Sequence, residues 1–277
     1  MPDLFFVFTR RWKLIILITI VATLLALGAA MISPKKYLSV ATALPANSVL
    51  SDKARIFNSN VQSLYSDIGT ADELDKIEGT ATLDTIYIKT SKDYNLAGHY
   101  LIADSGESIY KAAIELKNNS RISRSAYGEL KVKVWDKDRN LAAALANSLL
   151  QNLQFLHQHL QNQGNSIVLQ RIKEDYAAKR KLYQQLNDSV HSRSSAENND
   201  IFKAELGGLM DQIQQDDKLI GQYQLALNTN PQVLLTVENA RPSLWPDKPK
   251  VLETVLLTFF ASFLFSYLIS LLLESKK

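Results

Sequence analysis

The chain has 277 residues, a formal net charge of +3 and no cysteine. A compact domain takes roughly 100–200 residues, so this length suits one middle-sized domain with additional anchoring segments. The small net charge, with Lys and Arg interleaved among Asp and Glu, is typical of a solvated surface and gives no basis for a nucleic-acid partner. The lack of cysteine excludes disulfides and thiolate metal sites, and it fits either redox compartment.

The first long apolar segment lies near the N-terminus. It covers Leu14 to Ile32, carries no charge, and has Thr19 and Thr23 as its only polar side chains. At 1.5 Å per residue it is about 29 Å long, enough to cross a hydrocarbon core of roughly 30 Å. A cleaved signal peptide is the alternative, but the segment exceeds the usual apolar core of a signal, and Ser33-Pro34-Lys35-Lys36 is a poor cleavage site.

The second apolar segment, Val251 to Leu273, has Glu253 near its start as its one charge. Two spans place both termini on one side of the membrane. Basic residues flank the termini and the central loop in equal number. Because short segments outweigh long translocated ones in the positive-inside rule, we expect residues 1–13 and 274–277 in the cytoplasm and residues 33–250 outside.

Both predicted spans carry a small residue at every fourth position. Residues four apart share a helix face, and small side chains let two helix backbones approach closely. We predict that this face packs the spans together or against neighbouring subunits, although Ala and Ser are also common in membrane helices generally. The residues of the face are Ala22, Ala26 and Ala30 in the first span and Ser262, Ser266 and Ser270 in the second.

Residues 37–136 have the pattern of mixed helix and strand. Segments 37–44, 83–90 and 130–135 are rich in strand formers, and the last alternates strictly, which predicts one buried and one wet face. Segments 54–78 and 94–119 have apolar residues at helical spacing. We expect a late strand at 233–237 to return to the sheet of the early strands, which closes a domain at the membrane surface with both anchors leaving from one end.

A long helical hairpin is predicted from about residue 141 to residue 228. A leucine stripe and then a heptad pattern run along its first helix, and a second stripe follows the polar residues 191–200, of which Asp200 can cap the second helix. Lys179 and Asp216 are the polar positions of the two stripes, and antiparallel folding brings them within about one helical turn of each other. We hypothesise that they pair and fix the register; the alternative is that each reaches solvent independently.

Gly164 either kinks or ends the first helix of this hairpin. If the helix is continuous from about residue 140 to 190, it spans roughly 75 Å, which suits a spacer or a subunit of a tall assembly. The predicted fold class is therefore an α+β domain with a long helical hairpin, anchored by two transmembrane helices.

The sequence carries no recognisable catalytic or metal-binding motif, so we expect no enzyme activity, cofactor or metal. His157 and His159 are two apart on a helix and point to different faces, so we expect both at the surface. Zinc-protease, phosphate-binding and nucleophile-elbow motifs are all missing. Residues 136–140 imitate the start of a calcium loop, but Leu141 occupies the position that needs glycine, and a turn that starts the next helix is the better interpretation.

Three segments resemble the bacterial polysaccharide co-polymerases, also called chain length determinant proteins. Arg11-Trp12-Lys13 opens the first span, which Pro34-Lys35-Lys36-Tyr37 and a strand follow. Residues 138–147 are similar to the family's helix start after a strand. The most specific segment, 240–250, resembles the family's proline-rich segment ahead of the second span. Proline fixes φ and bars a helix, so Pro242, Pro246 and Pro249 keep this segment stiff and extended.

The resemblance implies a non-enzymatic, homo-oligomeric protein of the bacterial inner membrane with its bulk in the periplasm. It implies a membrane polysaccharide polymerase and its glycan as partners, with control of the chain length of O-antigen, capsule or exopolysaccharide and an aid to export. The loop is shorter than is usual for the family and lacks a Gly-Asn-Val-Arg motif, and the short cytoplasmic segments leave us expecting no kinase module.

Two other classes of protein have a similar layout. A two-span periplasmic ligand sensor would have to act through a separate signalling partner. An efflux or secretion adaptor would share the helical hairpin but usually has one anchor and lipoyl-like β motifs. Trp135 and Trp245 are the aromatic candidates for sugar contact, although a core position or an interfacial belt is the more ordinary explanation.

Overall fold

The computed structural model of the chain describes residues 4–46, 71–103, 105–192 and 199–275. The strands form one four-stranded sheet in the order β2-β3-β1-β4. The helices and strands are α1 (Leu4–Ile32), β1 (Tyr37–Pro45), α2 (Ala71–Thr80), α3 (Asp84–Asp93), α4 (Leu96–His99), α5 (Ser108–Asn118), β2 (Ser120–Arg124), β3 (Leu130–Asp136), α6 (Arg139–Ser192), α7 (Asn199–Thr229), β4 (Leu234–Glu238) and α8 (Val251–Ser275).

The described residues separate into two compact units. The anchor unit comprises those within Met1–Val40, Lys133–Ala146 and Ala240–Lys277. The hairpin unit comprises those within Ala41–Val132 and Asn147–Asn239. The first unit thus holds both terminal helices, and the second holds most of the predicted α+β domain and the hairpin.

The late strand returns to the first strand, as predicted. β4 pairs antiparallel with β1, with Ala43 opposite Thr236 and Pro45 opposite Leu234. A register shift follows Thr42. The two paired strands are far apart in sequence, so their pairing brings the chain after the hairpin back to its first strand.

The strand predicted at 130–135 is confirmed as β3. Leu130, Val132 and Val134 are fully buried, whereas the residues between them are only partly covered. This alternation is the two-residue period of a strand with one face on the core.

The polar strand β2 was not predicted, because its sequence Ser-Arg-Ile-Ser-Arg has no apolar alternation. A tight turn brings it beside β3. Gly128 has a φ of 77°, which favours glycine, and the Ser125 amide donates to the Glu129 carbonyl at 2.8 Å. The turn therefore places β2 next to β3, where it can pair as a strand.

The strand predicted at 83–90 is wrong, since this segment is the helix α3. Its buried residues are Ile86, Tyr87, Thr90 and Ser91, a spacing that places them on one helical face. α3 packs on α5 through that face. The β-branched residues favour a strand locally, but packing against a neighbouring helix overrides such preferences.

The helix predicted over 94–119 is interrupted. α4 ends at His99, and Leu101 takes a left-handed φ of 54° before α5 begins at Ser108. Most of the other predicted helix, 54–78, lies outside the described residues, and its last part belongs to α2, which ends at Thr80.

The first helix of the hairpin, α6, is continuous over 54 residues, or about 81 Å. Gly164 neither ends it nor breaks it. Asp138 caps its start, because the amides of Asn140 and Leu141 donate to Asp138 Oδ1 at 2.8 and 3.4 Å. The predicted turn at 136–140 is thus a helix start.

The predicted stripes of both hairpin helices are partly buried. On α6, Leu145, Leu149 and Leu153 are fully buried, and Leu160 is exposed. The second helix, α7, begins at Asn199, so Asp200 lies inside its first turn rather than before it. The turn residues 193–198 lie outside the described residues.

Candidate functional site

The two terminal helices of the anchor unit pack against each other. Segments Trp12–Ile32 in α1 and Val251–Leu273 in α8 are long and apolar enough to cross a membrane, and only 17% of either segment is buried within the protein. The core helix of a soluble protein would be mostly buried. The outward surfaces of α1 and α8 are therefore available to lipid.

The predicted small residues lie on the less exposed sides of these helices. Ser266 and Ser270 are fully buried and Ala30 nearly so, while Ala22, Ala26 and Ser262 are half-buried. The Ser270 hydroxyl donates to the Ser266 carbonyl at 2.9 Å, so it is satisfied within its own helix. These contacts fit close helix packing by van der Waals contact.

Sequence reasoning missed two further residues of the same face of α1. Ile15 and Thr19 are buried, four residues apart, and continue the stripe toward Ala22. The Thr19 hydroxyl donates to the Ile15 carbonyl at 2.8 Å. Ile15 and Thr19 are β-branched, so a pattern of Ala and Ser at every fourth position does not include them.

The proline-rich segment lies alongside the start of β1. The Lys36 amide donates to the Lys248 carbonyl at 3.0 Å, and the Lys36 carbonyl accepts from the amides of Asp247 and Lys248 at 2.9 and 3.2 Å. Farther along, the Ser39 hydroxyl donates to the Arg241 carbonyl at 2.9 Å. Hydrogen bonds thus hold the segment at both ends, from the backbone of Lys36 at one end and from the Ser39 side chain at the other.

A tryptophan at the end of β3 adds a side-chain contact to this segment. Trp135 Nε1 donates to Asp247 Oδ2 at 2.6 Å. Lys248 Nζ lies 4.3 Å from the centre of the Trp135 ring, within cation–π distance. We call Trp135, Asp247 and Lys248 the tryptophan clamp. Because Lys248 covers one face of the ring, Trp135 is a poor stacking platform for sugar.

The clamp could not have been found from the sequence. Trp135 and Asp247 are 112 residues apart, and no periodic pattern links them. Trp245 lies outside the clamp and is 80% exposed. The structure therefore separates the two tryptophans that the sequence suggested as equivalent candidates.

In the hairpin unit, Lys179 and Asp216 are in direct contact. Lys179 Nζ lies 2.7 Å from Asp216 Oδ2, and the two side chains are 25% and 12% exposed. Lys179 also lies 3.9 Å from Asp175, one turn earlier on α6. The distance fits the hypothesis of a hairpin pair; its effect on register stays a prediction.

Of the two histidines that were expected at the surface, one is partly buried. His157 is half-buried on α6, and its Nε2 lies 2.6 Å from the Thr80 hydroxyl, which in turn donates to the Ile77 carbonyl. Burial lowers the pKa of His157. His159 is exposed, as expected.

Among the residues that the structure describes, no three His, Asp or Glu side chains come together as a metal site. The contacts of Trp135 with Asp247 and of Lys179 with Asp216 join distant segments of the chain, whereas those of Thr19 and Ser270 lie within one helix. The anchor unit thus contains two packed apolar helices and the clamped proline-rich segment, and the hairpin unit contains most of the long hairpin.

Comparisons with known proteins agree with the resemblance. Residues 2–76 match the family model of Wzz, the chain length determinant protein. The recognition made from the sequence is thereby confirmed for this N-terminal part of the chain. No curated protein gives a significant match.

Two solved structures are similar to the chain at low identity. One is a full-length bacterial polysaccharide co-polymerase, with 13% identity, 99% of this chain and 97% of that chain covered, and a TM-score of 0.43. The other is a fragment of WzzB, a polysaccharide co-polymerase from Salmonella Typhimurium, with 11% identity, 78% and 100% covered, and a TM-score of 0.34. Since both TM-scores are low, neither similarity carries a functional conclusion.

Proposed function

We propose that this chain is a regulatory, non-enzymatic polysaccharide co-polymerase that sets the chain length of a surface polysaccharide. The observation that carries the proposal is the family match over residues 2–76, which spans α1 and β1. The polymer is O-antigen, capsule or exopolysaccharide, and the chain also aids its export. A membrane polysaccharide polymerase and its growing glycan are the partners.

The anchor unit supports a place in the inner membrane. α1 and α8 pack together and expose their remaining apolar surface, which fits two adjacent spans. Arg11 and Lys13 lie at the start of the first span, and with short terminal segments the positive-inside rule favours cytoplasmic termini. The central residues, 33–250, then lie in the periplasm.

The hairpin unit supports a scaffold role. A helix of about 81 Å is much longer than a compact domain needs. Large apolar side chains are exposed along it, including Phe155 and Ile167. Such side chains favour association, and we propose that copies of the chain assemble into a homo-oligomer on the periplasmic face.

The test is a gel profile of surface polysaccharide from a strain that lacks the protein. A plasmid copy of the natural gene and an empty plasmid are compared in that strain. If chain lengths lose their preferred mode without the protein and the copy restores it, the proposal stands. If length and amount are unchanged for every surface polymer of the strain, the proposal fails and a sensor or adaptor role takes its place.

A further inference from the structure

Two neighbouring apolar side chains stand out in the proline-rich segment. Leu244 and Trp245 are 77% and 80% exposed. Their own segment is held by hydrogen bonds on both sides, at Arg241 and at Asp247. Large apolar side chains displayed together by a fixed segment indicate contact with another apolar phase.

The position of the segment places this pair beside the ends of both candidate spans. The bridge between Lys36 and Lys248 follows the end of α1 at Ile32 by four residues and precedes the start of α8 at Val251 by three. Trp245 is three residues from Lys248, at most about 11 Å along the chain. Counted from the start of α8 at Val251, Trp245 is six residues away, at most about 22 Å along the chain, and the headgroup layer on each side of a bilayer is about 5–8 Å thick. Trp245 therefore lies in that layer when the proline-rich segment runs along the membrane surface.

The segment is already ordered for such a contact. The Ser243 hydroxyl donates to the Trp245 carbonyl at 2.8 Å, which closes a local turn around Leu244. Pro242 and Pro246 flank the pair and restrict its backbone. Little conformational entropy is left to lose when the pair inserts, and preorganisation of this kind strengthens binding.

Charge on the same segment fits a phosphate-rich surface. Cationic residues surround the apolar pair in sequence, and long cationic side chains reach lipid headgroups from such positions. The nearby acidic groups are engaged, Asp247 with Trp135 and Glu253 with Lys250 at 3.0 Å. The cationic residues of this stretch are Lys35, Lys36, Arg241, Lys248 and Lys250; of these, Lys248 lies over the Trp135 ring and Lys250 is paired with Glu253.

We infer that Leu244 and Trp245 form an interfacial wedge, which inserts into the headgroup layer of the bilayer that holds α1 and α8. The aromatic ring lies at the boundary between headgroups and acyl chains, where amphipathic rings are favoured. The tryptophan clamp ties the wedge to β3. The wedge therefore fixes the depth of the proline-rich segment against the membrane surface. This inference depends on α1 and α8 spanning a bilayer and is independent of the role in chain-length control.

The experiment uses the full chain, which has no natural cysteine, in nanodiscs of phosphatidylethanolamine and phosphatidylglycerol. Leu244→Cys carries a nitroxide spin label, and its collisions with oxygen and with a water-soluble nickel chelate are measured by power saturation. Leu257→Cys, on the exposed side of α8, is the lipid reference. Tyr127→Cys, at the tip of the turn between β2 and β3, is an equally exposed reference outside the anchor unit.

We expect the label at position 244 to be intermediate for both reagents: it meets oxygen less often than at 257 but more often than at 127, and the nickel chelate less often than at 127 but more often than at 257. Equal nickel access at 244 and 127 would overturn the inference, because the pair would then lie in water. Low access to both reagents would also overturn it, since the pair would be covered by protein, such as a second copy of the chain. Trp245→Cys repeats the measurement and guards against a local effect of the label.

Discussion

The contact between Lys179 and Asp216 allows a quantitative prediction about the hairpin. The two side chains touch across α6 and α7 at 2.7 Å, and Asp216 is the more deeply buried partner. Lys179→Met removes the cation but keeps much of the apolar stem. Asp216→Leu removes the carboxylate and restores an apolar residue to the stripe.

The two single changes differ in expected magnitude. Lys179→Met leaves a largely buried carboxylate without its cation, which costs about 1–3 kcal/mol. Asp216→Leu costs less, about 1 kcal/mol or below, because Lys179 is partly exposed and keeps Asp175 within 3.9 Å. The double variant has an all-apolar stripe and is expected within about 1 kcal/mol of the natural chain. The middle of these ranges gives a coupling energy of about 2–3 kcal/mol.

Native-state hydrogen exchange on the full chain measures this coupling locally, since the amides of α6 and α7 report the opening free energy of the hairpin. A second cycle on Lys179 and Asp175 serves as the matched control. That pair lies on one helix at 3.9 Å with an exposed carboxylate, so its coupling is expected at about 0.5 kcal/mol or less.

Two outcomes would refute this reasoning. A coupling between Lys179 and Asp216 no larger than that of the control pair would mean that each charge is solvated independently. A double variant as unstable as Lys179→Met would mean that the apolar stripe cannot replace the pair. In either case the register of the hairpin would depend on its apolar contacts alone.

Three further predictions concern other parts of the chain. Leu149→Ala, at a fully buried site on α6, is expected to lower the free energy of unfolding by about 2–5 kcal/mol. Leu160→Ala, at an exposed site, is expected to change it by about 0.5 kcal/mol or less. Denaturant titration of both variants measures this difference. Burial lowers the pKa of His157 from its ordinary 6.5. The contribution of neutral His157 to stability is therefore fully present above pH 6.5 and is lost as the pH falls through the lowered pKa of the folded state. His157→Gln should reduce the fall of the melting temperature with acid, and an unchanged slope would contradict this. Ser266→Phe, at the buried contact of α8 with α1, is expected to destabilise the packing of these two helices by about 1–3 kcal/mol. Leu264→Phe, on the outer face of α8, should be tolerated. Equal thermal stability of the two variants in detergent would argue against the packing of α8 on α1.

The hairpin shows how far local pattern can predict a contact. Lys179 and Asp216 are 37 residues apart, yet they were paired from sequence because a hairpin turns in the middle and its two stripes must face each other. Each helix has its own heptad pattern. Positions at similar distances from the polar turn therefore face each other in the hairpin, and this count brings Lys179 within about one helical turn of Asp216. The two apolar terminal segments could also be predicted from the sequence, because their composition differs so strongly from the rest of the chain.

The tertiary structure decided the features in which local pattern is ambiguous or silent. Segment 83–90 has strand-forming residues, and only its packing on α5 makes it a helix. β2 has a single apolar residue, Ile122, and is a strand because it lies beside β3. Trp135 meets Asp247 across 112 residues, a distance over which no sequence period persists. The two anchors could be predicted from local composition and the hairpin from short-range periodicity. The sheet partners and the tryptophan clamp could not, because those contacts exist only once distant segments of the folded chain meet.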